Sequence, residues 1–298
     1  MTTSPATPPR DLPRPPARPV AASKRDFGRV VVVGGSVGMA GAPALAASAA
    51  LRSGAGLVEA VVPEPVVAIT AGFDPCVMTH GLAAGAAGTF TGAAAAALTP
   101  MLARASAVAI GPGLGRSRDV AALVATLWRE LAVPAVFDAD ALWALALVDP
   151  AARRDHAGPR VVTPHAGEML RLAGRDPAGP EATDRERLLS LARHEAAASG
   201  AVVVLKGAGT LIVGGGREAI NETGNPGMAT AGTGDVLTGV VAALLAQGME
   251  PFAAARLAAW VHGAAGDAAA GELGQISLTA RDLLERLHVG FRAATVLP

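Results

Sequence analysis

The sequence has no tyrosine, and aromatic residues make up 3% of its 298 positions. Platforms for single-stranded nucleic acid need aromatics interleaved with basic residues, and no such stretch occurs. Charge is sparse too: 25 Lys and Arg balance 25 Asp and Glu, for a net charge of +0. That balance removes the long-range pull that a phosphate backbone or an anionic membrane surface would exert, so neither partner is expected. The lone cysteine, Cys76, cannot close an internal disulfide, and no Cys/His spacing matches a zinc site. A reducing, cytoplasmic compartment is therefore expected. Residues 75–103 carry no Asp, Glu, Lys or Arg, but they are mostly Ala, Gly and Thr. Such small side chains gain little from transfer into lipid, so the stretch is not read as a membrane span.

What is plentiful is small and apolar: 51% of residues are hydrophobic and 36 are glycine. The core is thus expected to be Ala, Val and Leu under close backbone packing. Residues 1–22 are rich in proline and arginine with no apolar run, which fits neither a secretory signal nor a strand. Residues 1–24 are expected to be a disordered proline-rich tail and residues 25–298 a single domain.

From residue 29 onward, short β-branched runs alternate with helical patterns. Strands are expected at 29–33, 57–62, 107–110, 135–137, 160–163 and 202–205, with a hairpin over 211–221 turning at Gly214-Gly215-Gly216. Helices are expected at 42–53, 119–131, 141–147, from 169, at 183–198, 236–248, 251–271 and 279–288. Residues 71–92 show no clear period. Fully apolar strands between helices point to a mostly parallel sheet covered on both faces. In such sheets ligands bind beyond the carboxyl ends of the strands, where the glycine-rich and charged turns fall.

Gly34-Gly35-Ser36 and Gly111-Pro112-Gly113-Leu114-Gly115 both follow strands, but neither has dinucleotide-fingerprint spacing, and no segment matches the Walker lysine pattern. Asp138 and Asp140 sit at a strand-to-helix junction, as a helix cap or as groups facing a ligand or a hydrated Mg²⁺. His165 follows a proline at a strand end. Lys206 precedes Gly207 and Gly209, either solvated in a turn or placed to neutralise phosphate. His262 and Asp267 share a long helix, for packing or for chemistry. The glycine loop ending in Gly232-Thr233-Gly234-Asp235 opens an apolar helix whose first N–H groups form an anion hole. Asp235 at its rim either caps that helix or takes a proton from a hydroxyl attacking a phosphoryl group.

Asn225-Pro226-Gly227-Met228-Ala229 together with Gly232-Thr233-Gly234-Asp235-Val236-Leu237-Thr238-Gly239 resembles the signature of the NAD(P)H-hydrate dehydratases, members of the ribokinase-like superfamily. Met39-Ala40-Gly41-Ala42, Gly111 to Gly115, Asp138-Ala139-Asp140-Ala141-Leu142, Thr163-Pro164-His165-Ala166-Gly167-Glu168-Met169, Leu205-Lys206-Gly207 with Thr210, and His262-Gly263-Ala264-Ala265-Gly266-Asp267 are similar to the same family in the same order. The resemblance covers roughly residues 28–270. Gly-Thr-Gly-Asp alone is shared with ribokinase-like kinases, whereas the Thr-Pro-His and Asn221 to Met228 runs are more specific. Two positions depart from many relatives, Ala40 for proline and Ala231 for glycine, both small for small.

The resemblance implies a ribokinase-like three-layer αβα sandwich. It implies dehydration of the S epimer of NADHX or NADPHX, coupled to hydrolysis of ADP to AMP and phosphate, with Mg²⁺. Ala42, Gly113, Gly115, His165 and Asp235 would contact the hydrated dinucleotide. Lys206, Gly207, Ala208, Gly209, Thr210 and Gly234 would hold the adenine nucleotide, and Asp235 would be the catalytic base. No direct metal ligand is implied. Relatives are often tetramers, so a homo-oligomer is expected, and the epimerase domain fused to some relatives has no room in this length. Two alternatives stand beside it. One is an ATP-dependent kinase of the same superfamily, acting on a hydroxymethylpyrimidine, a hydroxyethylthiazole or a sugar, and the other is a nucleotide-binding regulator without turnover.

Overall fold

The valine run near the start shows how the layers are built. In the first strand, β1 (Arg29–Val33), Val30 and Val32 enter one hydrophobic layer and Val31 and Val33 the other, all four fully buried. A strand buried on both faces reads as continuous apolar sequence, not as alternation.

The computed structural model describes residues 7–295. After β1 come α1 (Gly41–Arg52), β2 (Leu57–Pro63), α2 (Val67–Ala71), β3 (Met78–Leu82), α3 (Ala94–Leu102) and β4 (Ala107–Ile110). Then follow α4 (Arg118–Glu130), β5 (Ala135–Phe137), α5 (Asp140–Leu145), β6 (Arg160–Val162), α6 (Ala166–Leu172), α7 (Arg185–Ser199) and β7 (Val202–Leu205). The chain ends with β8 (Thr210–Gly214), β9 (Arg217–Asn221), α8 (Thr233–Ala246), α9 (Pro251–Leu273) and α10 (Ala280–Thr295). One nine-stranded sheet runs β3-β2-β1-β4-β5-β6-β7-β8-β9. Strands β1 to β7 are parallel, and β8 and β9 add an antiparallel hairpin at one edge.

Helices α1, α8, α9 and α10 pack on one face of the sheet and α3 to α7 on the other, giving the expected three layers. Helix α8 is buried from Val236 to Ala246 because it lies between the sheet and other helices. Its contact with α1 is so close that a Cβ on Gly239 would overlap the Ala46 carbonyl, which is why that interface is glycine against alanine.

The order of strands reverses between β1 and β4, so a crevice opens there beyond their carboxyl ends. The aperiodic stretch proves to contain β3, an edge strand. Its residues are part-exposed throughout, so no burial alternation was imprinted on its sequence. Residues 1–6 of the expected tail lie outside the described residues. Residues 7–23 form no helix or strand, yet Leu12 is buried in the core layer beside α9, Asp11 pairs with Arg256 at 2.8 Å, and Arg18 donates to the Gly54 carbonyl at 2.8 Å.

Candidate active site

At the end of β5 the backbone makes an unusual turn. Ala139 has φ 50°, the one positive value outside glycine among the described residues. Gly111, at the end of β4, lies under it, and any Cβ there would overlap the Asp138 carbonyl oxygen. The turn sends the two flanking carboxylates to different partners. Asp138 accepts hydrogen bonds from Lys206 Nζ at 2.8 Å and from Thr238 Oγ1 at 2.7 Å. Asp140 accepts from the Gly115 N–H and from Arg116 Nε, both at 2.9 Å. Neither is a cap: the residue before α5 is Ala139, with no side-chain bond to the helix.

Lys206 therefore bridges rather than standing free in solvent. Its ammonium pairs with Asp138 and lies 3.7 Å from Glu168 Oε2. It also sits 3.3 Å from where a Cβ on Gly234 would be, beside the start of α8. Burial pushes the Lys206 ammonium down, but the Asp138 and Glu168 carboxylates outweigh it and hold it above its usual range. Burial likewise pushes Asp138 up, and the Lys206 charge with its bonds reverses that, leaving an ionised carboxylate.

Helix α8 is entered through Gly232 in the left-handed conformation, φ 91°, with no side-chain cap. The first intrahelical bond runs from the Val236 N–H to the Gly232 carbonyl at 3.1 Å. The N–H groups of Thr233, Gly234 and Asp235 thus precede the ladder and face the cleft at the positive end of the helix. Asp235, third residue of α8, caps nothing. Burial, with the neighbouring Asp138 charge, raises its carboxyl to about 7 despite Lys206. Glu168 is raised by burial to about 7 as well.

His165 is more than a ring at the crevice. It caps α6: its Nδ1 accepts from the N–H groups of Gly167 at 3.1 Å and Glu168 at 3.4 Å, while Glu168 accepts the His165 N–H at 2.8 Å. With Nδ1 accepting, the ring hydrogen resides on Nε2. Burial and Lys206 hold the imidazole below its usual value, so it is neutral. His262 and Asp267 both brace the glycine loop. His262 Nε2 lies 2.8 Å from the Thr233 carbonyl, and burial lowers its value to about 4, so the ring donates as a neutral imidazole. Asp267 accepts from the Gly224 N–H at 2.9 Å and from Asn225 Nδ2 at 3.0 Å.

A cleft of about 890 Å³ is lined by Asp138, His165, the turn 206–210, the loop 228–235 and His262. Of the residues expected at the site, His165, Lys206, Gly207, Ala208, Gly209, Thr210, Gly234 and Asp235 share this cleft. Ala42, Gly113 and Gly115 do not line it. They gather at the crevice between β1 and β4, where a Cβ on Gly113 would lie 3.2 Å from Ala42, and Asp138-Ala139-Asp140 links the two groups. Ser36, Glu168 and Thr238 went unassigned in sequence. Ser36 Oγ donates to the Gly113 carbonyl at 2.8 Å, and Glu168 was legible as the acid three residues after a cap. Among the described residues no three His, Cys, Asp or Glu side chains converge as a metal site.

The sequence profile of NAD(P)H-hydrate dehydratase matches residues 30–288. The chain belongs to the NAD(P)H-hydrate dehydratase family. This dehydratase-family chain is 48% identical over 273 residues to the bifunctional NAD(P)H-hydrate repair enzyme of Moorella thermoacetica, covering 91% of itself and 51% of that protein. It is 40% identical over 282 residues to the ADP-dependent (S)-NAD(P)H-hydrate dehydratase of Neisseria meningitidis serogroup B, covering 91% and 90%. The chain spans about half the length of the bifunctional curated relatives it matches. The ADP/ATP-dependent NAD(P)H-hydrate dehydratase of Bacillus subtilis, co-crystallised with ATP/Mg²⁺, superposes with a TM-score of 0.77 at 27% identity, covering 96% of this chain and 100% of that one. Solved neighbours also include a ribokinase-like superfamily protein of Enterococcus faecalis, so the ribokinase-like sandwich expected from the sequence holds.

Proposed function

We propose that this family member is an ADP-dependent (S)-NAD(P)H-hydrate dehydratase, a lyase that returns the S epimer of NADHX or NADPHX to NADH or NADPH while ADP is hydrolysed to AMP and phosphate. The observation that carries the proposal is Asp235: a carboxylate that caps nothing, with a proton affinity near neutrality, beside free helix N–H groups and the Lys206 ammonium. Such a group is matched to removing a proton from an alcohol at neutral pH.

In this reading the hydrated dinucleotide lies across Ala42, Gly113 and Gly115 and reaches His165, whose Nε2 lies 3.4 Å from Glu168 Oε1. ADP lies over Lys206, Gly207, Ala208, Gly209 and Thr210, with its terminal phosphoryl group at Gly234. Asp235 takes the ring hydroxyl proton as that oxygen attacks phosphorus and AMP departs. The N–H groups of Thr233 to Asp235 and Lys206 stabilise the charge spreading over the phosphoryl oxygens. The ring carbon's original bond to that oxygen then breaks, its electrons leaving with phosphate, and loss of the neighbouring ring proton closes the double bond. Hydroxide is a poor leaving group and phosphate a good one, which is what the ADP accomplishes.

Asp138 and Asp140 are engaged by Lys206, Thr238, Gly115 and Arg116, and no metal cluster exists among the described residues. Mg²⁺ therefore fits as part of the nucleotide substrate complex, held by phosphates and water, and would supply charge neutralisation there. The proposal extends to one dehydratase domain from about residue 25 and to a cytoplasmic setting, where the exposed free thiol of Cys76 stays reduced. It extends also to a homo-oligomer, supported by Val37, Met39, Ile69 and Phe73, all at least half exposed.

The test is phosphate release on mixing the protein with ADP, Mg²⁺ and freshly hydrated NADH, read with recovery of reduced-nicotinamide absorbance. One phosphate per NADH recovered is expected. Phosphoester formed from ATP and a hydroxymethylpyrimidine, a hydroxyethylthiazole or a sugar, without NADH recovery, would overturn the proposal in favour of a kinase.

A further inference from the structure

We infer that Arg185 belongs to the nucleotide subsite and supplies its charge to a phosphate of ADP. The inference rests on reading the 206–210 turn as the nucleotide turn. No sequence motif marks Arg185. It is the first residue of α7, placed there because Asp184 caps the helix by accepting the Arg187 N–H at 3.0 Å. Its guanidinium is partly buried and reaches across to the turn, donating from Nη2 to the Gly209 carbonyl. Its Nη1 lies 3.7 Å from where a Cβ on Gly207 would be. Both glycines line the cleft and both have positive φ, 146° and 64°.

Among the described residues Arg185, like the part-buried Arg171, lacks the acid partner that most part-buried arginines have. Arg29 pairs with Glu59, Arg153 with Glu195, Arg256 with Asp11 and Arg286 with Glu272. Arg160 has no acid, but the carbonyls of Trp128, Leu131, Val133 and Pro159 engage its donors. Arg185 has neither an acid within reach among the described residues nor a second carbonyl. The nearby acid Glu181 is taken by Arg175 and Arg187. A guanidinium offers five N–H donors, so one with a single protein bond keeps the others, and its charge, for solvent or for a ligand. Lys206 is the one lysine or arginine among the residues lining the cleft, and it is already paired with Asp138. A nucleoside diphosphate adds further negative charge, and Arg185 is the cation in place to meet it. The two glycines keep the wall between guanidinium and ligand one backbone thick.

The experiment uses the full chain and equilibrium binding, read by calorimetry with ADP and with adenosine as separate probes. Arg185→Gln retains a donor for the Gly209 carbonyl and removes the charge, whereas Arg185→Lys retains the charge. Arg185→Gln is expected to weaken ADP about tenfold while leaving adenosine unchanged, as loss of a positive charge one backbone away from the phosphates requires. Arg185→Lys is expected to recover most of that loss. Unchanged ADP affinity in Arg185→Gln, or equal weakening of ADP and adenosine, would overturn the inference. Should Arg185→Gln fail to fold, Arg185→Lys decides alone: ADP within about threefold of wild type supports the charge role, and a larger loss overturns it. Wild-type protein that binds no ADP would instead sink the dehydratase reading itself.

Discussion

Replacing Asp235 with asparagine separates chemistry from stability, because the two should move in opposite directions. Asparagine has nearly the same shape and cannot accept the hydroxyl proton, so turnover should fall by on the order of 10²-fold or more. The folded protein raises the Asp235 carboxyl from its ordinary 3.8 to about 7. A group raised in this way contributes fully below the unfolded value, and its contribution is lost as pH rises through the folded one. Between about pH 4 and 7 the wild type therefore surrenders stability that the asparagine variant keeps. A shift of about three units corresponds to a ceiling of about 4 kcal/mol, and the residual solvent contact of Asp235 reduces the expectation to about 2 kcal/mol. For a domain of this size that is about 4 °C in melting temperature. Melting curves from pH 4.5 to 8.5 should show variant and wild type level at the acid end and the variant higher by that amount at pH 8. Near-normal turnover in the variant, or a melting difference that does not change with pH, would refute the reasoning.

Other outcomes follow from the same geometry. The kcat/KM of the wild type should rise with pH and level off above about 7 as Asp235 loses its proton; a flat profile from pH 5.5 to 8.5 would contradict the base role. Lys206→Ala should raise KM for ADP more than KM for the hydrated dinucleotide. It should also lower urea stability by about 3 kcal/mol, because Asp138 is left buried without its partner. Equal effects on the two KM values would remove Lys206 from the nucleotide. Asp267→Ala frees the Gly224 N–H and Asn225, so KM for ADP should rise several-fold with kcat nearly kept, and an unchanged KM would mean the loop does not need that anchor. Gly111→Ala should cost at least about 3 kcal/mol or prevent soluble expression, since the added carbon meets the Asp138 carbonyl at positive φ; a stable, active variant would show that the turn at Ala139 can relax.

The strands that build the floor of the site were readable because burial on both faces left apolar runs, as in Arg29–Val33 and Val202–Leu205. Edge strand β3 was not, since partial exposure imposes no pattern. Local spacing marked the glycine turns, and His165 with Glu168 three residues on had the form of a capping box. The chemistry of the cleft lies in distant pairs. Asp138 meets Lys206 across 68 residues and Thr238 across 100, so neither partner leaves a trace in local sequence. That Asp235 does not cap α8 likewise needed the three-dimensional fact that Gly232 enters the helix without a side-chain cap. Within the proline-rich stretch, Leu12 is buried in the core layer, with the Asp11–Arg256 pair and the Arg18 bond to the Gly54 carbonyl beside it, contacts that local composition does not announce.

Phosphorylation of the hydroxyl before its expulsion has a direct isotopic readout. Hydrated NADH carrying ¹⁸O in its ring hydroxyl, turned over with ADP in unlabelled water, should deliver that oxygen to the released phosphate, seen by mass spectrometry as a gain of two mass units. Unlabelled phosphate, with the heavy oxygen found in water, would mean that ADP hydrolysis and dehydration are separate events and that Asp235 does not activate the ring hydroxyl for phosphorylation.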